Sequence, residues 1–321
     1  MKTTTPLIAH ILPFLEYCEV EKGLSNNTQR NYEQYLKLFV KWLCETDQSG
    51  LLPHRLTAEH IWDYRLYLAR KYKSRRGTYL GKKSQNYYLI ALRAFLDFLA
   101  ERNIETLPSV KVKLAKQKDE ETISFLEMRD IEKMLAVSDT ATPAGLRDRT
   151  IMELFFSSGM RISELVAIDA DQMSMLADNN ATRTYELSIV GKGKHVRTIF
   201  ISPRAALWIR KYLNTRRDVH KPLFINHRSR TENKRLTPRS IEYLISRCAL
   251  LAGISKKVTP HTFRHTYATD LLGHGADLRS VQELLGHKSV ATTQIYTHIT
   301  NKHLRDIHEK FHGGSETKYK G

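Results

Sequence analysis

Six side chains, spread from residue 161 to residue 296, are of types that together could act on a phosphodiester. They are Arg161, Lys192, His261, Arg264, His287 and Tyr296. Arginine can give a phosphate two parallel hydrogen bonds, and Glu164, three residues after Arg161, is expected to share its helix face and fix its orientation. Lys192 stands between glycines in Gly191-Lys192-Gly193-Lys194, where the backbone can approach a ligand closely and an ammonium can protonate a leaving oxygen. His261 and Arg264 should share a face of the helix that Thr259 and Pro260 begin, pairing proton exchange with phosphate binding. Tyr296 would supply the nucleophile.

Each of these features has an ordinary reading when taken alone. Arg161 and Glu164 would be a surface ion pair, the Gly-Lys-Gly-Lys stretch a solvated turn, and Tyr296, one of 15 tyrosines, a core aromatic. The four-residue spacing of His261 and His265 also suits a metal on a helix. Thr262 replaces the glutamate of a His-Glu-x-x-His metalloprotease, however, and no cysteine cluster supplies further ligands, so no metal is expected. It is the ordered set that points to neutralising, protonating and attacking a phosphodiester without a metal.

The rest of the chain must position that set. Its 51 Lys and Arg against 34 Asp and Glu give a net charge of +17, the footprint of a protein that binds a polyanion. At 321 residues and 41% hydrophobic, it is long and apolar enough for two domains. No apolar run approaches a membrane span and the N-terminus has no signal-peptide layout, so a cytoplasmic location and no membrane partner are expected. Cys18, Cys44 and Cys248 lack paired spacing and read as reduced core residues.

Residues 1–107 read as a helical unit, with four helices between Pro6 and Asn103. Ser25, Thr57 and Ser84 are the N-cap candidates, and Leu89, Leu92, Leu96 and Leu99 line one buried face. Residues 108–122 lose that periodicity and gather Lys111, Lys113, Lys116 and Lys118, which reads as an exposed basic linker. A second unit, 123–321, opens on Ser124 and Glu127 as a capping box and stays helical to about Ala167. Tyr185, Leu187 and Ile189 then alternate with polar residues and Val196 to Ile201 form a second strand, a β-hairpin with lysine at its tip. The fold class is therefore mainly α with a small antiparallel β-sheet.

The sequence resembles the tyrosine recombinase (phage integrase) family, and within it the Xer-type recombinases. The motifs that carry this are Arg161 in Gly-Met-Arg-Ile-Ser-Glu-Leu, Lys192 in Gly-Lys-Gly, and His261 and Arg264 in Pro-His-Thr-Phe-Arg-His. His287 in Leu-Gly-His and Tyr296 in Thr-Thr-Gln-Ile-Tyr-Thr complete them. The resemblance implies a two-domain DNA clamp, a helical core-binding domain followed by a catalytic domain. It further implies that Tyr296 forms a 3′-phosphotyrosyl link while Arg161 and Arg264 hold the nonbridging oxygens. Lys192 would protonate the 5′ oxygen, His261 would assist proton exchange, His287 would donate a hydrogen bond, and Glu164 would support the site. No cofactor is implied, since the bond energy is kept in the protein link.

The partners implied are double-stranded DNA with a specific recombination site and a homo-tetramer on two duplexes, or a hetero-tetramer with a second recombinase, with room for an activating protein. Asn301 to Phe311 would be the interaction helix. Lys82, Lys83, Arg93, Arg235 and Arg239 are candidates for DNA contact. Resolution of chromosome dimers and integration or excision of a mobile element would use the same chemistry. A type IB topoisomerase and a noncatalytic DNA-binding regulator are the further alternatives.

Overall fold

A computed structural model describes residues 1–74, 77–116, 125–178, 180–191, 195–227 and 234–286. The chain divides into two compact units, Met1–Glu121 and Thr122–Gly321.

The first unit is built on α1 (Ile11–Val20), α2 (Asn26–Glu45), α3 (Ala58–Leu66) and α4 (Lys82–Glu101). Ser25 and Thr57 hold extended backbone before α2 and α3, and their hydroxyls accept from the Thr28 and His60 amides, which would otherwise lack a helical partner. Ser84 does not cap α4: the helix begins two residues earlier, behind Gly81, and Ser84 lies in its first turn. The leucine stripe of α4 is buried with Leu36, Phe39 and Leu43 of α2, and Phe14 of α1 meets the Phe95 ring edge-on at 5.5 Å.

The start of the expected linker belongs to this core. Val112 is fully buried, and the Asn86 side-chain amide exchanges two hydrogen bonds with the backbone of Ala115, at 3.0 and 2.9 Å. Lysine spacing hid this, because one apolar side chain and one amide pair suffice to hold a segment that is polar elsewhere. Cys18 and Cys248 are buried, whereas Cys44 is exposed rather than a core residue.

The second unit contains α5 (Met128–Ala136), α6 (Pro143–Ser158), α7 (Ile162–Ala167), β1 (Tyr185–Val190), β2 (Val196–Ile201), α8 (Pro203–Thr215), α9 (Pro238–Leu251), α10 (Pro260–Gly273) and α11 (Leu278–Leu285). Four of these helices start the same way. Thr142, Ser202, Thr237 and Thr259 each cap with a hydroxyl, and each is followed by a proline whose missing N–H costs the helix nothing there. The capping box expected before α5 is replaced by Glu127 itself at the N-cap, without a side-chain bond; Ser124 lies outside the described residues.

The hairpin pairs Tyr185 with Ile201 through Val190 with Val196, burying Tyr185, Leu187 and Ile189. The α6 and α8 helices are joined through Glu153, which is buried and accepts from Arg149 and Arg204 at 2.9–3.0 Å. Among the described residues, no helix is long and apolar enough to cross a membrane.

Candidate active site

Arg161 is placed by the end of α6 rather than by a helix of its own. Gly159 turns the chain with φ +56°, and buried Met160 anchors it. Arg161 then has extended backbone, at the N-cap of α7. The pair with Glu164 is thus made across a helix start, not along a helix face. The Glu164 carboxylate accepts from the Arg161 amide at 2.7 Å and from Arg161 Nη1 at 3.0 Å.

Gly159 has no room for change, because a Cβ there would collide with the Tyr267 ring, and its φ is one that side chains rarely adopt. Gly159→Ala is expected to lower stability by about 3 kcal/mol, combining backbone strain with overpacking. Chemical denaturation of the two proteins measures it, and an unchanged midpoint would contradict this placement.

Glu164 takes a third hydrogen bond, from Arg197 Nη2 on β2 at 2.8 Å. Burial pushes its carboxyl upward. The bonds from Arg197 and the Arg161 amide, with the charge of Arg197, outweigh that and hold it below its ordinary value. It therefore stands as a buried carboxylate between two guanidinium groups. Arg197 was absent from the sequence-based set. Its signal was there to find, since it shares a strand face with buried Ile199 and Ile201, an inward position that a charge occupies only when paired.

Arg264 rises from α10 and is almost fully buried. It donates to Gly159 O at 2.7 Å and to Leu285 O. Arg161 Nη2 donates to Gly286 O at 3.0 Å, and Arg197 Nη1 donates to Leu284 O. Three consecutive carbonyls at the end of α11 thus each receive a different arginine. Those carbonyls have no partner within the helix and lie at its negative pole, so cationic donors suit them.

Gly286 ends α11 with φ +63°, and a Cβ on it would come within 2.6 Å of Arg197 Cδ. A Cβ on Gly191 would lie 3.2 Å from Glu164 Oε1. The residues that precede Lys192 and His287 in the sequence therefore both abut the Arg161–Glu164–Arg197 cluster. Lys192, His287, Tyr296 and the stretch from Asn301 to Phe311 lie outside the described residues.

His261 occupies the first turn of α10, with its ring 5.0 Å from that of His265 and nearly perpendicular to it. His261 is an exposed residue whose ring is partly surrounded by its neighbours. That partial burial, then the charges of Arg264 and Arg161, push its pKa below the usual histidine value. Burial drives His265 further, down to about 4. These downward shifts favour the neutral imidazole at pH 7, the form in which His261 can accept a proton. Among the described residues, no three His, Cys, Asp or Glu side chains are grouped to hold a metal ion.

The candidates for DNA contact separate. Lys82, Lys83 and Arg239 are exposed in the first turns of α4 and α9, and Arg93 is half-buried. Arg235 is partly exposed, and its guanidinium donates to Val166 O at 2.6 Å, to Ile168 O at 3.3 Å and to the Asp169 carboxylate, so it also braces the end of α7.

Residues 124–303 match the Phage integrase family, and residues 11–103 match the phage integrase N-terminal SAM-like domain. The chain belongs to the phage integrase family. This integrase-family protein is 35% identical over 309 residues to "Tyrosine recombinase XerD" of Lacticaseibacillus casei, covering 94% of this chain and 98% of that one. It is 34% identical to "Tyrosine recombinase XerC" of Bacillus subtilis (strain 168), covering 93% and 94%. It shares its fold with the XerH site-specific recombinase bound to difH substrate, at a TM-score of 0.71 and 19% identity over 95% and 97% of the two chains. A lambda integrase dimer bound to a COC' core site superposes at a TM-score of 0.67 and 18% identity, over 92% and 77%. The recombinase is thus a mainly helical, two-domain enzyme of site-specific DNA strand breakage and rejoining.

Proposed function

We propose that this recombinase exchanges strands between two DNA duplexes through a 3′-phosphotyrosyl link to Tyr296, and that its biological role is the resolution of chromosome dimers. The observation that carries the reading is the convergence of Arg161 and Arg264 on successive carbonyls at the end of α11, directly before His287 in the sequence. Two guanidinium groups fixed to one helix end are held relative to each other, as a clamp on two nonbridging oxygens requires.

In the proposed step the Tyr296 oxygen attacks phosphorus. A phosphorus–tyrosine bond forms and the bond to the 5′ oxygen breaks. His261 takes the phenolic proton, Lys192 delivers one to the departing 5′ oxygen, and His287 donates a hydrogen bond to the phosphate. Glu164 holds Arg161. Because one phosphoester replaces another, the reverse reaction with a different 5′-hydroxyl seals the exchanged strand without ATP.

Four subunits on two duplexes, all of this chain or two of them a second recombinase, would act in the cytoplasm, with Lys82, Lys83, Arg93, Arg235 and Arg239 on phosphates. The chromosomal role is supported by relatives named XerD and XerC that match over nearly their whole lengths.

Incubation with two duplexes carrying a site obtained by binding selection is expected to give recombinant joints without ATP. Cut ends or relaxed circles with no exchanged joints would overturn the proposal. Where the selected site lies in the genome tests the chromosomal role. A site opposite the replication origin agrees with it, and one at the ends of a mobile element contradicts it.

The pH dependence follows from His261. Its pKa lies below the ordinary 6.5. Acceptance of the phenolic proton should therefore persist at pH 7 and fade only as acidification passes below that value. Single-turnover cleavage measured from pH 8 to pH 5 reads it, and a rate already falling between pH 8 and pH 7 would count against His261 as the acceptor.

A further inference from the structure

Arg197 is the third arginine on the end of α11 and the only one of the three with no assigned part in the chemistry. Its side chain is 11% exposed, and its two terminal nitrogens are spent on different elements. Nη2 donates to Glu164 on α7, and Nη1 donates to the Leu284 carbonyl on α11. Its Nε is buried with no partner among the described residues, a cost that the other two contacts must offset. Gly286 lies against its Cδ, so any side chain at that turn would displace it.

These contacts join what Arg161 joins, by a separate route. Arg161 also bonds Glu164 with one terminal nitrogen and the α11 end with the other. The two guanidinium groups therefore bracket one carboxylate and one helix terminus, and β2 carries the second bracket. Without Arg197, Glu164 would keep only the Arg161 bonds among the described residues, and the Leu284 carbonyl of α11 would lose its donor from the hairpin.

We propose that Arg197 is a positioning residue for strand cleavage: it fixes Glu164 against the end of α11, so that the Arg161 guanidinium and the Gly286 turn keep one geometry. It touches no reacting atom and acts through Glu164 and α11. The inference rests on the strand-cleavage reading above. A small displacement of groups that bind and attack a phosphate costs far more in rate than in binding.

The test measures single-turnover formation of the covalent protein–DNA adduct on a nicked duplex carrying the selected site, alongside DNA affinity. Arg197→Met is expected to slow adduct formation by about 100-fold, with affinity within about threefold of wild type. Arg197→Lys restores a positive charge beside Glu164 but cannot span both acceptors, and is expected to recover about tenfold of that loss.

The Arg197→Met effect should also shrink in a Glu164→Gln background, because the two residues act as a unit. A loss due only to a weakened fold would instead add to that of Glu164→Gln. The proposal is overturned if Arg197→Met forms adduct at the wild-type rate, if Arg197→Lys is no faster than Arg197→Met, or if the losses at 197 and 164 multiply independently. Absence of adduct with the wild-type protein would instead overturn the cleavage reading itself, so the two failures are distinguishable.

Discussion

Arg264→Lys should slow strand cleavage by about 1000-fold while the protein still binds its DNA site, the scale of losing a preorganised donor to a developing charge. Arg264 is 2% exposed and bonds two backbone carbonyls, Gly159 O at the end of α6 and Leu285 O at the end of α11. A guanidinium reaches both because its nitrogens form a rigid planar fork. An ammonium offers its donors from one point on a shorter stem, so it satisfies one carbonyl and leaves the other buried without its partner. The geometry proposed for holding the phosphate changes with it. Rapid-quench measurement with saturating DNA isolates the chemical step, and melting curves report whether the fold is kept. A Lys variant that cleaves within tenfold of wild type would show that Arg264 serves packing and not the phosphate.

Tyr296→Phe is the larger effect, an expected loss of at least about 10⁴-fold in adduct formation. The substitution removes one oxygen and keeps the ring. Packing and DNA affinity should therefore stay near wild type, within about threefold, while no bond to phosphorus can form. Strand exchange should disappear with it, whereas a role for Tyr296 in the core alone would lower stability and spare the chemistry. Gel shift and adduct assays on one preparation separate these outcomes, and retention of adduct formation would assign the nucleophile elsewhere.

The sequence already carried the order of elements. The leucine spacing in α4 and the alternation in β1 followed from burial on one face. Threonine–proline and serine–proline steps mark four helix starts in the second unit. Less legible was everything set by backbone conformation. Arg161 and Glu164 are three residues apart whether they share a helix or straddle its start, and only Gly159 with its positive φ decides for the N-cap. Val112 and the Asn86–Ala115 bonds escaped because a single buried contact leaves no period.

For Arg197 and Arg235, side-chain type did not reveal the partner. Arg235 lies close in sequence to Pro238 and Arg239, and nothing in that spacing shows its bonds to the backbone carbonyls at the end of α7. Arg197 lies in a strand whose other residues on the same face are buried, and its bond to Glu164 comes from a distant segment. Which partner an arginine takes is a matter of tertiary contact, and that is what linear spacing does not encode.

Which atom of the protein becomes joined to DNA decides the mechanism. The most direct measurement is to trap the adduct on a nicked duplex, digest it, and identify the modified peptide and the DNA end it carries by mass spectrometry. The predicted result is one modified residue, Tyr296, bearing a 3′-phosphate, with a free 5′-hydroxyl on the released strand. An adduct at any other residue, a 5′-phosphate linkage, or cleaved DNA with no protein attached would contradict it.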